Sequence, residues 1–124
     1  MTIVCVDDQP VILAGLTQNV HRILPDAVVH SFGQADKALD FATKNGCDVL
    51  ISEIELCGGD GLTLAKKFKK LNPKVNIIFL TVCDEKEHPK EVMRIKPSGY
   101  LVKPAKIEQR EAKLRNLRYS ASAA

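Results

Sequence analysis

Four places in this 124-residue chain hold residue types that could do chemistry together: Asp7-Asp8, Glu53, Thr81 and Lys103. Each stands at or just past the end of a short apolar run. Three carboxylates gathered at one spot cannot all stay ionised unless a cation offsets them. An oxygen-only donor set suits Mg²⁺, which takes one or two carboxylates and fills its other positions with waters and phosphate oxygens. Lys103 adds a mobile point charge for a carboxylate or a phosphoryl oxygen. Thr81 adds a hydroxyl able to register an anion through a hydrogen bond. The chemistry implied is that of a divalent cation beside a phosphoryl group. The alternative for Asp7-Asp8 is a helix N-cap that complements the helix dipole, and for Glu53 a plain ion pair with Lys103.

Such a set works only if the chain brings its members to one edge. Residues 2–6 read as a strand, and Pro10 suits the first turn of a helix whose apolar positions are Leu13, Leu16, Val20 and Ile23, ended by Pro25. Residues 27–32 read as a second strand punctuated by Gly33. Ala35, Ala38, Leu39 and Ala42 mark a second helix that Asn45-Gly46 stops. The third strand opens at Asp48 and empties through Glu53 into a glycine-rich turn at 58–61. Leu62, Ala65, Phe68 and Leu71 line a third helix, and 75–82 is a continuous apolar run of the kind buried on both faces of a parallel sheet. The pattern weakens over 84–97, which carries Pro89 and Pro97 and supports a short helix from Pro89. Residues 99–102 give a fifth strand. Pro104 opens a last helix through Ile107, Leu114 and Leu117, and 120–124 is a frayed tail after a single domain at 1–119. Alternating strands and helices predict an α/β, doubly wound, five-stranded parallel sheet flanked by five helices. In that class the binding site lies beyond the C-terminal strand ends, where all four places fall.

The totals narrow the function. Hydrophobic residues at 45% and charged ones at 27% are ordinary for a water-soluble domain, so a cytoplasmic protein is expected. No apolar run is long enough to cross a membrane, and no basic n-region or cleavage motif opens the chain, so no membrane partner is expected. The net charge of +3 is too small to imply a nucleic-acid partner, and Lys106, Arg110, Lys113, Arg115 and Arg118 read as a solvated helix face. Cys5, Cys47, Cys57 and Cys83 form no CxxC pair and read as reduced thiols, with a Cys57–Cys83 disulfide as the minor alternative. His21, His30 and His88 are scattered, as surface or packing residues would be. No dinucleotide fingerprint and no Walker lysine motif is present, and no enzymatic activity is expected.

With these residues in hand, the chain resembles the receiver domain of two-component response regulators, the chemotaxis-response-regulator-like fold. The resemblance rests on Val4-Cys5-Val6-Asp7-Asp8-Gln9-Pro10, on Ile54-Glu55-Leu56 with Gly58 to Gly61, on Thr81, and on Tyr100-Leu101-Val102-Lys103-Pro104. It implies a flavodoxin-like strand order 2-1-3-4-5 and a role in phosphorelay signal transduction and transcription regulation in bacteria, with a sensor histidine kinase as partner. It also implies residue roles. Asp8 would ligate Mg²⁺ directly, Asp7 through water and Glu55 through its backbone carbonyl. Thr81 and Tyr100 would form the switch pair, and Lys103 would contact the phosphoryl group. Residues 84–118 would be the face for an effector domain or a homodimer.

Two departures stand out. The phosphoacceptor position, also counted among the metal-site residues, holds Glu53 where the family has aspartate, and Cys57 stands where proline is usual. The extra methylene carries the carboxylate outward by about 1.5 Å. Phosphoryl transfer depends on positioning, and an error of about 1 Å costs about a hundredfold in rate. Phosphorylation of Glu53 is therefore disfavoured, and a bias toward an active-like state is expected. The alternative is a phosphorylation-independent pseudo-receiver that serves as a protein-docking module.

Overall fold

The computed structural model describes residues 1–53, 55–56, 59–81 and 97–102, with 55–56, 59–60, 81 and 100–102 described as backbone. Its elements are β1 (Thr2–Val6), α1 (Pro10–Ile23), β2 (Val28–Phe32), α2 (Ala35–Asn45), β3 (Val49–Ser52), β4 (Glu55–Leu56), β5 (Gly59–Asp60), α3 (Gly61–Leu71), β6 (Asn76–Thr81) and β7 (Gly99–Val102). The main sheet runs β2-β1-β3-β6-β7 with every neighbouring pair parallel. Counting only its own strands in chain order, that is 2-1-3-4-5. The short β4 and β5 pair with each other, antiparallel. The sequence predicts only a turn there, since two-residue strands leave no periodic signature. Three helices are present among the described residues. The helices expected from Pro89 and Pro104, Lys103 and the tail 120–124 lie outside them.

Strand side chains alternate between faces, and both faces are covered, which is why the strands read as unbroken apolar runs. On one face Ile3, Cys5, Val49, Ile51, Ile78 and Leu80 pack under Leu16, Val20 and Ile23 of α1. On the other, Val4, Val6, Leu50, Ile77 and Phe79 pack under α2 and α3, with Ala38, Ala42, Leu62, Ala65 and Phe68 as the helix contribution. Phe68 and Phe79 are the largest fully buried side chains, each contributing about 1.5–3 kcal/mol through burial. His30 packs against Phe41 at a tilt, with ring centroids 4.2 Å apart.

The helix ends follow the local chemistry. Pro10 occupies the first turn of α1, and the Leu24 N–H donates to the Val20 carbonyl at 2.8 Å just before Pro25. Gly46 ends α2 at φ 78° and ψ 173°, a region reserved in practice for glycine. The N-terminal edge of the sheet is stitched by polar groups. The Thr2 N–H donates to Asp48 Oδ2 at 2.8 Å, and the Asp48 N–H returns to the Thr2 carbonyl at 2.9 Å. The Asn76 N–H donates to the Asp48 carbonyl, and Ser98 Oγ donates to Asn76 Oδ1, each at 2.9 Å. These bonds tie four parallel strands in register, and a slip of one residue would turn every core side chain to the wrong face.

Candidate functional site

The register decides where the acids stand. Val6 pairs with Ser52, so Asp7 and Glu53 are the next residues on two adjacent parallel strands. Ser52 in turn pairs with Phe79, and Thr81 pairs with Val102. Asp7, Glu53 and the backbone of Thr81 are therefore gathered at the C-terminal edge of three neighbouring strands. Tyr100 lies on β7 opposite Phe79, and Glu55 lies in β4 opposite Asp60.

Asp7 is buried, at 2% exposure. Its N–H donates to the Phe32 carbonyl at 3.3 Å, and its Oδ1 accepts the Gln9 N–H at 2.9 Å. That second bond is an Asx turn, which leads the chain from strand to helix. The N-cap of α1 is Gln9, without a side-chain cap, and the first turn holds no acid. The N-cap reading of Asp7-Asp8 therefore does not describe this turn. Asp8 is partly exposed beside it.

Glu53 is 5% exposed. Its N–H donates to the Val6 carbonyl at 3.2 Å, and its own carbonyl accepts Ser52 Oγ at 2.8 Å. Its backbone is tied to β1 by the first bond, and the second is local. Ser52 was not singled out from the sequence, although a serine closing an otherwise apolar strand was the available signal.

Among the described residues no three His, Cys, Asp or Glu side chains are grouped to hold a metal ion. Asp7, Asp8 and Glu53 share the C-terminal edge of the sheet, and the Asx turn directs one Asp7 oxygen to the Gln9 N–H. None of the three lacks an interaction partner. The donor chemistry still fits Mg²⁺, which needs only one or two carboxylates. Asp7 and Asp8 at the end of β1 supply those.

The thiols here are inert. Cys5 and Cys47 are free and buried. Burial, with a smaller repulsion from Cys47, pushes the Cys5 thiol up to about 12. Burial likewise raises Cys47 to about 12, against a lowering effect of the Val4 and Val49 backbones. Cys57 and Cys83 lie outside the described residues, as does His88.

Five parallel strands with acids along their C-terminal edge define a flavodoxin-like α/β domain with an oxygen-rich site. The chain belongs to the response regulator receiver domain family, which it matches over residues 3–115. Response regulator GacA of Pseudomonas aeruginosa is 26% identical over 107 residues, covering 86% of this chain and 50% of that protein. Response regulator UvrY of Escherichia coli is 29% identical over 126 aligned positions, covering 98% of this chain and 58% of that protein. The chain thus spans about half the length of the curated relatives it matches. Its fold is similar to that of response regulator protein TrrA from Thermotoga maritima in complex with Mg²⁺ and BeF, with TM-score 0.80 and 23% identity, covering 92% of this chain and 96% of that one. Among the described residues no helix is long and apolar enough to cross a membrane.

Proposed function

We propose that this domain is the signal-receiving part of a two-component response regulator whose phosphoryl switch is altered at Glu53. The observation that carries the reading is the position of Glu53, level with Asp7 on the adjacent strand and held there by its N–H bond to the Val6 carbonyl. In this reading Asp8 and the Glu55 carbonyl would ligate Mg²⁺ directly and Asp7 would do so through water. The cation supplies charge neutralisation for a phosphoryl group. Thr81, Tyr100 and Lys103 read the state of the site. A sensor histidine kinase is the upstream partner. An effector domain, docked through residues 84–118, accounts for the remaining half of the relatives' length. The domain acts by changing state rather than by turnover.

A second reading, a pseudo-receiver that docks partners without any phosphoryl chemistry, is supported by glutamate rather than aspartate at residue 53. Amide chemical shifts recorded during Mg²⁺ and beryllofluoride titration separate the two. The expected result is that the Glu53→Asp protein responds to both, with the shifts centred on residues 7–9 and 52–55. No response to Mg²⁺ in either protein would leave the docking module.

A further inference from the structure

β2 is an edge strand, paired with β1 and with no other strand among the described residues. The Val28 N–H donates to the Met1 carbonyl at 2.9 Å, and the Phe32 carbonyl accepts the Asp7 N–H at 3.3 Å. By the alternation of a parallel ladder, Val28, His30 and Phe32 turn their backbone groups to β1, and Val29 and Ser31 turn theirs outward. Such an edge invites another strand, and folded proteins commonly blunt it with charge, proline or a bulge. β2 has none of these. No Lys, Arg, Asp, Glu or Pro occurs from Ala27 to Ala35, and the register with β1 is unbroken along the whole strand. Val28 is 54% exposed, a β-branched side chain left half in water at the edge.

The strand is complementary to itself. Two copies laid antiparallel over their full length meet at His30, with Val28 opposite Phe32 and Val29 opposite Ser31. Val29 and Ser31 are the residues whose N–H and carbonyl face outward. Each Val29–Ser31 couple therefore exchanges a pair of hydrogen bonds, and twofold symmetry repeats the couple. Val28, His30 and Phe32 share the face toward α2, where His30 and Phe32 both meet Phe41, with ring centroids 4.2 and 5.5 Å away. The exposed Val28 of one copy falls against Phe32 of the other, a favourable β-branched–aromatic pair on closely spaced positions of the ladder. By the same register Asp26 falls opposite Gln34, so no carboxylates oppose each other.

We propose that this chain self-associates weakly through β2, antiparallel and twofold about His30, joining the sheets of two copies into one. The seam lies at the opposite edge of the sheet from β7 and uses none of the site acids, so it stands or falls apart from the phosphoryl reading. The test follows mass by sedimentation from micromolar to millimolar protein, at about pH 8, where an ordinary imidazole is neutral. A rise from monomer to dimer is expected. Val28→Lys puts a charge on the edge, and Ser31→Pro removes an outward N–H from each copy; each should weaken association at least about tenfold. Val28→Lys, at an exposed position, carries the test even if Ser31→Pro folds poorly. Leu71→Lys, at an exposed apolar position of α3, should leave association unchanged. On oxidation the His30→Cys protein should form a disulfide linking position 30 of one copy to position 30 of the other, placed by peptide mapping. The Ser31→Cys protein should crosslink far more slowly, because Val29 stands across the seam from it. A monomer mass throughout would overturn the proposal. So would association untouched by Val28→Lys, an equal loss in Leu71→Lys, or a Ser31→Cys crosslink as fast as that of His30→Cys.

Discussion

Replacing Glu53 by aspartate should convert a poor phosphoryl acceptor into a competent one, and the magnitude follows from how the position is held. The Glu53 N–H is bonded to the Val6 carbonyl at 3.2 Å and its carbonyl to Ser52 Oγ at 2.8 Å, while the preceding Ser52 is paired on both sides by β1 and β6. The backbone therefore cannot retreat to absorb the longer side chain, and the full C–C bond of about 1.5 Å is expressed at the carboxylate. With about 1 Å of misplacement costing about a hundredfold, Glu53→Asp should take up a phosphoryl group from acetyl phosphate at least about a hundred times faster than the parent. The assay is intact-protein mass against time in the presence of Mg²⁺, with peptide mapping to place the added group. Equal rates in the two proteins, or a modification mapped away from residue 53, would refute the reasoning. So would a parent that labels readily at Glu53, since the positional argument would then be wrong.

Two further expectations concern the scaffold. Gly46→Ala places a side chain at φ 78° and ψ 173°, and should lower stability by about 1–3 kcal/mol in urea melts. The thiols should make stability fall in alkali. Cys5 and Cys47 are raised from 9.0 to about 12, so between those values the folded chain holds protons that the unfolded chain has lost. The contribution is complete below pH 9 and declines as pH rises toward 12, by up to about 1.4 kcal/mol per pH unit for each thiol. Urea melts at successive pH values in Cys5→Ala, Cys47→Ala and parent proteins check this, with the steepest decline expected in the parent.

Much of the scaffold is legible in the residue pattern because both sheet faces are buried. The run from Ile77 to Leu80 can only be an interior strand, and Pro25 and Gly46 end helices for local reasons that need no tertiary context. The edge where Asp7 and Glu53 meet is legible for the same reason, since it follows from strand ends alone. Side-chain direction is not. The Asp7 oxygen that bonds the Gln9 N–H is set by a turn two residues long, and nothing in the spacing announces it. The Asp48–Thr2 clasp joins residues 46 apart, a distance over which pattern carries no information. The β4–β5 hairpin is too short for either period to show. A cavity between the ends of α2 and α3 is lined by residues from Thr2 to Val75, which no local pattern brings together.

The way Glu53 is anchored has a consequence for what this position tolerates. The bonds to the Val6 carbonyl and the Ser52 hydroxyl both involve its main chain. The side chain can thus be exchanged without the sheet losing a rung. Chemistry and architecture are separately inherited at this residue. A lineage can lengthen, neutralise or restore the acid there and keep an unchanged platform for whatever docks on it.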